Sequence, residues 1–235
     1  MVQTLKLGSL YLDSESIAPE AKYQPGQIVS FGEAAPNMAI SWVPVNGILI
    51  ADRCLLTNIS WDDLDAQGLV FGKEVKIQGF RFTARLLKVG DNEDGPNEWD
   101  AALDTVGEDN ALWHWSGKYF WGQESAEAAS CRAYRGYGSA RLWRWRNSSF
   151  RYANLGFRPA LVPLATAPSA LRHDQEVIAI GRNGCVIGNL VGENQYDLIL
   201  RPKACWVAGA PLFAANLQDG TLAVDRSGIL SIATA

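Results

Sequence analysis

The sequence predicts an α+β fold in which two short helices sit among twisted antiparallel strands, followed by a small β-rich module at the C-terminus. Three observations carry that reading. Two segments, 61–67 and 98–106, have the caps and apolar spacing of short amphipathic helices. Between and before them run β-rich pieces with turn signals, of which Asn46-Gly47 is the clearest. From Glu176 onward the chain breaks into short β-rich pieces separated by Gly, Asn and Asp turns. At 235 residues with 48% hydrophobic residues, the chain is long enough for one large domain or a domain with an appendage.

Residues 1–57 are read as N-terminal strands or an arm, packed on or part of the main domain. They begin with the strand-like run Leu5 to Leu12 and are punctuated by Pro19, Pro25 and Gly26. The run MAISWVPVNGILIADRCLLT (38–57) holds the hairpin signal. Ser60 can cap a helix through Asp63, with Gly68 ending it. Residues 74–89, EVKIQGFRFTARLLKV, alternate partially and read as extended. The loop GDNEDGPN (90–97) is a solvated acidic turn; its oxygens would suit a structural calcium, but the EF-hand spacing is missing. Glu98 to Val106 places Trp99, Ala102, Leu103 and Val106 on one helical face, with Gly107 as cap. In ALWHWSGKYFWG (111–122), the alternation of Leu112 and His114 against Trp113 and Trp115 suggests a strand. His114 has no nucleophile or acid beside it in sequence and reads as a structural histidine. The domain plan is 1–57, a core at 58–163, a small-residue linker at 164–170 and an antiparallel module at 171–235.

Function points to one stretch. Arg132 to Leu161 carries seven arginines interleaved with Tyr134, Tyr137, Trp143, Trp145, Phe150, Tyr152 and Phe157. No acid occurs between Glu127 and Asp174, an interval that contributes +8; the chain totals −4, so the remainder carries −12. Such a chain does not bind nucleic acid by bulk charge, although a local patch could. Arginine and aromatic rings together bring rigid contact area with polar handles. If 141–147 is a strand, Arg141, Trp143 and Trp145 share one face, and Leu142, Arg144 and Arg146 the other. The competing structural reading makes these rings core and pairs the arginines with acids of 90–109.

The four cysteines are widely spaced without a CxxC, and there are only two histidines, so no metal or other cofactor is expected. The N-terminus has no signal-peptide pattern and no apolar run reaches a membrane span. These point to a soluble protein, cytoplasmic or virion-associated, with reduced thiols.

Five landmarks fall in order: Ile59-Ser60-Trp61-Asp62-Asp63, Glu98-Trp99-Asp100-Ala101-Ala102, Ala111-Leu112-Trp113-His114-Trp115-Ser116, Arg135-Gly136-Tyr137-Gly138-Ser139 and Leu155-Gly156-Phe157-Arg158. Over about 58–161 this resembles the formylglycine-generating (sulfatase-modifying factor) branch of the C-type lectin fold. That branch includes the variable proteins of diversity-generating retroelements. The resemblance implies a C-type-lectin-like domain, with ligand contacts between the R-G-G-S-W and G-F-R landmarks. Tyr137 is inserted in the glycine pair, and Ala140 stands where tryptophan is expected. The interval 140–147 lacks the cysteines that the oxidase branch needs for copper chemistry.

The expected function is therefore a non-enzymatic ligand-binding or display protein, in a retroelement-diversified or phage receptor-binding version. Its ligand would be a protein or carbohydrate bound by Tyr137, Arg141, Trp143, Arg144, Trp145, Arg146, Asn147 and Tyr152. Arg158 reads as an internal arginine bonded to carbonyls or acids. The alternatives are a formylglycine-generating-type oxidase, a binder of nucleic acid or anionic glycan, and a structural virion component.

Overall fold

A computed structural model describes residues 4–126, 128–164, 171–207 and 213–235. The strands form three six-stranded sheets and one three-stranded sheet. In order across the first sheet lie Leu5–Lys6, Ser41–Val45, Ile48–Ala51, Pro159–Pro163, Phe80–Leu86 and Lys73–Ile77. The second runs Trp143–Asn147, Cys131–Gly136, Tyr119–Ser125, Leu155–Phe157, Leu56–Thr57 and Ala21–Lys22. Ala214–Asn216, Leu222–Asp225, Asp197–Val207, Gly184–Glu193, Glu176–Ile180 and Ser231–Thr234 form the third. The small sheet is Glu15–Ile17, Ser9–Leu12 and Val29–Gly32.

The expected α+β class is corrected: the fold is mostly β, 46% strand against 10% helix. The two expected helices exist but are short, α1 at Trp61–Ala66 and α2 at Glu98–Val106. The excess of strand comes from pieces with little pattern of their own, such as Glu15–Ile17 and Ala21–Lys22, which are fixed by long-range partners. A third helix, α3 at Asn110–Trp113, replaces the strand expected at the start of 111–122, and the strand proper begins at Tyr119. Asp109 caps α3 through Ala111 N–H at 2.9 Å, and the turn drives Trp113 onto Trp99, ring centroids 4.9 Å apart.

Local chemistry explains the well-signalled elements. Asn46 and Gly47 both adopt positive φ, 49° and 79°, between the directly paired Val45 and Ile48, as a two-residue hairpin requires. Ser60 and Asp63 form a complete capping box for α1. Asn97 caps α2, and Gly107 N–H closes it on Leu103 O at 2.8 Å.

Strands from residues 1–57 interleave with later strands in both the first and second sheets. One large core runs from Leu5 through Trp42, Leu56 and Phe82 to Leu161, and takes in Ile178, Ile180, Cys185, Ile187 and Ala233 of the third sheet. The Asn46-Gly47 tip also docks there, with Asn46 N–H donating to Arg182 O at 2.7 Å. A Cβ at Gly47 would stand 2.9 Å from Leu230 Cβ. The small-residue linker read at 164–170 lies, beyond Leu164, outside the described residues. Among the described residues, no helix is long and apolar enough to cross a membrane.

Candidate functional site

The Arg132–Leu161 stretch forms the edge of the second sheet and the loop beside it. Cys131–Gly136 pairs with Trp143–Asn147 on one side and Tyr119–Ser125 on the other. Directly paired residues share a face. The register sets Tyr134 opposite Arg144, Arg132 opposite Arg146, and Trp121 opposite Tyr134, all on one face. Trp143, Trp145 and Asn147 alternate onto the other, with Ala133 and Arg135.

Seven arginines then divide by environment. Arg135 is 1% exposed: its Nε donates to Val89 O at 3.0 Å, Nη1 to Arg141 O, and Nη2 to Asp100 Oδ2 at 2.9 Å. Burial pulls its pKa down, against the opposing pull of Asp100 and Glu93. Arg158 is fully buried, donates to Trp113 O at 2.6 Å, and lies over the rings of Trp99 and Phe120 at 4.9 and 4.7 Å. Arg151 forks onto Asp63, and Arg132 covers the Trp61 ring at 4.2 Å. Arg141 meets Asp104 at 2.7 Å, Glu108 at 3.5 Å and Asp100 at 3.6 Å. Among the described residues, Arg144 and Arg146 have no acid within ion-pair distance.

The competing structural reading thus describes Arg135 and Arg141, which do pair with acids of 90–109. It also describes Trp143, which donates to Gly90 O at 3.0 Å and packs on a core of Val89, Trp99, Trp113 and Phe120. Trp145, by contrast, is exposed on that side. The Asn147 side-chain oxygen accepts from Ser149 N–H and Oγ, and so builds a turn.

On the opposite face Arg144 and Arg146 lie among rings. Tyr119 stacks on Tyr137, centroids 4.8 Å apart and planes 12° from parallel, and meets Tyr134 edge-on at 4.9 Å. Phe150 stacks on Tyr152 at 5.5 Å and 14°, with the Arg146 guanidinium 5.8 Å above Phe150. Tyr137, Phe150 and Tyr152 are 45%, 42% and 40% exposed. Burial raises the Tyr134 hydroxyl pKa, while the charges of Arg146 and Arg144 act to lower it. Of the sequence candidates, Tyr137, Arg144, Arg146 and Tyr152 come together here; Arg141, Trp143, Trp145 and Asn147 do not. Tyr119, Tyr134 and Phe150 join them and were not picked from sequence. Only the cross-strand register brings the first two to this face.

The edge itself is blunted. Gly136 N–H donates to Leu142 O and Ser148 N–H to Ser130 O, so by alternation Arg144 and Arg146 bond inward and Trp143, Trp145 and Asn147 present their backbone outward. Trp143 O accepts from Arg144 Nη1 at 3.0 Å, and Asn147 O from Phe150 N–H at 3.1 Å. An added strand would have to displace both.

A separate cleft of about 620 Å³ is lined by Ser41, Asp52, Arg53, Asp109, Leu112 and His114. Its polar groups satisfy one another. Arg53 Nε and Nη2 each donate to the buried Asp52 carboxylate at 3.0 Å, and Nη2 lies 2.9 Å from His114 Nε2. His114 itself ends α3 in the left-handed conformation. Cys54 and Cys131 are free and buried, Cys185 is buried, and burial pushes the Cys54 thiol up. Among the described residues no cluster of three or more His, Cys, Asp or Glu groups is placed to hold a metal ion. No family model, curated protein or solved structure matches this chain.

Proposed function

We propose that this is a non-enzymatic ligand-binding or display protein, and that it binds through the face carrying Arg144, Arg146, Tyr137 and Tyr152. The observation that supports this most is the pair of exposed arginines, acid-free among the described residues, beside two stacked ring pairs that include exposed Tyr137, Phe150 and Tyr152. A solvated arginine on a structural face ordinarily finds a carboxylate or solvent alone; here rings of large contact area surround both. Tyr119 and Phe150 complete the surface, and Tyr134 supports it from below. The strands beneath are fixed by buried Trp121 and Tyr134, so the surface is preorganised. The display version draws on the resemblance, because the retroelement-variable branch places its ligand contacts in the interval that holds Arg144 and Arg146 here.

The test is a screen of the purified protein against protein, glycan and oligonucleotide arrays, run beside R144Q/R146Q and R141Q variants. Binding should vanish in the double variant and persist in R141Q, whose arginine is held by three acids. Binding that survives R144Q/R146Q would place the site elsewhere.

A further inference from the structure

We infer that the ligand of this face is a single-stranded nucleic acid, held by its phosphates on Arg144 and Arg146 and by its bases on the outer rings of the Tyr119–Tyr137 and Phe150–Tyr152 pairs. The inference rests on the binding reading above and narrows it.

The hydrogen-bonding inventory comes first. The face offers the exposed guanidinium groups of Arg144 and Arg146, with that of Arg132 lying over Trp61 beside them, donors only, and tyrosine hydroxyls. Among the described residues Arg144 and Arg146 meet no carboxylate within ion-pair distance, and the amide oxygen of Asn147 beside them is engaged by Ser149. The Trp143 carbonyl is taken by Arg144. A neutral sugar presents hydroxyl hydrogens that need acceptors, and this face has few. A phosphate chain presents acceptors alone, which guanidinium groups match in fork geometry.

Spacing agrees. Arg144 and Arg146 are two apart on one strand face, so their Cβ atoms stand about 7 Å from each other. That is comparable with the separation of adjacent phosphates along an extended strand. The rings then discriminate between polyanions. Each stacked pair includes an exposed ring, Tyr137 in one and Phe150 and Tyr152 in the other. Unpaired bases stack on such platforms, whereas a duplex keeps its bases inside and a sulfated glycan has none. The net charge of −4 does not oppose this locally. Most acids nearby are already paired: Asp63 with Arg151, Asp100 and Asp104 with Arg135 and Arg141, and Glu20 with Lys118. Asp62, whose backbone N–H donates to Ser148 O, is the exception among the described residues and sits at the α1 end of the face.

The experiment is fluorescence anisotropy of the whole chain with a labelled oligothymidine, at several salt concentrations. Two phosphate contacts on single-stranded DNA give a log–log slope near −1.4, an affinity loss of about sevenfold between 50 and 200 mM salt. R144Q/R146Q should abolish binding. Y137G should weaken it about tenfold without altering the salt slope, through loss of one stacking platform. Glycine suits this position because Tyr137 already sits at φ 78°. Circular dichroism checks that both variants fold. The inference is overturned if oligothymidine does not bind, or if the matching duplex or a sulfated oligosaccharide binds equally well and is indifferent to Y137G. A protein or glycan ligand lost in R144Q/R146Q would overturn the nucleic-acid inference and keep the binding reading. Any ligand that binds R144Q/R146Q as it binds the parent would remove both.

Discussion

Replacing Arg135 with methionine tests how the edge of the second sheet is anchored. The guanidinium ties three separate backbone segments together: Val89 at the start of the acidic loop, Asp100 on α2, and Arg141 in the turn before Trp143–Asn147. Methionine fills much of the volume but leaves the Val89 and Arg141 carbonyls without their donor. Breaking a buried pair by removing one partner costs about 3–5 kcal/mol. The lower end applies, because Asp100 keeps 21% of its side chain exposed and retains Asn97 Nδ2 at 2.6 Å. A loss of about 3 kcal/mol in a chain of this size corresponds to a fall in Tm of about 6–12 °C. Lysine should recover about half of that, since one ammonium cannot reach all three segments in the planar fork. The exposed Arg141, at 41%, provides the contrast: R141Q should change stability by about 1 kcal/mol or less. Urea unfolding followed by tryptophan fluorescence reads all three variants. An R135M protein within 0.5 kcal/mol of the parent would refute the argument that this arginine, rather than packing alone, holds the edge.

The two tryptophans of the edge strand should separate: W143A costs about 2 kcal/mol, as half-buried packing and the bond to Gly90 O are lost, while W145A stays within about 0.5 kcal/mol. Equal losses in urea melts would contradict the face assignment. Asp63 gives a pH dependence. Burial alone would raise its carboxyl pKa, but hydrogen bonds from Arg151 and Ser60 outweigh burial and hold it below the ordinary value. A depressed folded pKa stabilises above the unfolded value of about 3.9 and is lost as pH falls through the folded one. D63N should therefore cost about 1 kcal/mol at pH 7 through the cap and flatten the decline below about pH 4; parallel acid limbs in parent and variant would sink this account. At Gly156 a Cβ would sit 1.9 Å from Leu56 O, a backbone atom in the middle of the sheet. G156A should lose about 3 kcal/mol or fail to accumulate as folded protein, and a near-parental Tm would show that the strands can part there.

Signals confined to a few neighbouring residues were legible in the sequence. Asn46-Gly47 specified its hairpin because both positions must accept positive φ. Ser60 and Asp63 specified the start of α1 because each side chain reaches the other's backbone. Alternation correctly separated Arg144 and Arg146 from Trp143 and Trp145, since a strand's side-chain period depends on nothing beyond the strand. The stretch Ala111 to Trp115 misled for a related reason. Its alternation is real, but Asp109 caps a short helical turn first, and Trp113 finds its burial against Trp99 from that turn.

What only the tertiary structure decided was pairing. The fold class turned from α+β to mostly β because short strands such as Ala21–Lys22 and Leu56–Thr57 exist through their partners alone. Seven arginines are chemically alike in the sequence. Arg135, Arg141 and Arg151 became acid-paired and Arg132 and Arg158 ring-covered, leaving Arg144 and Arg146 exposed and without an acid among the described residues, only when α1 and α2 brought their acids and rings up and packing closed over Arg158. Tyr119 and Tyr134 entered the candidate surface through register, in which the neighbour across a strand lies far away along the chain. The sequence by itself determined where turns, caps and alternating faces lie, because those are set by local backbone geometry and hydrogen bonding. Which arginines pair with an acid and which stay exposed was decided by contacts between distant segments.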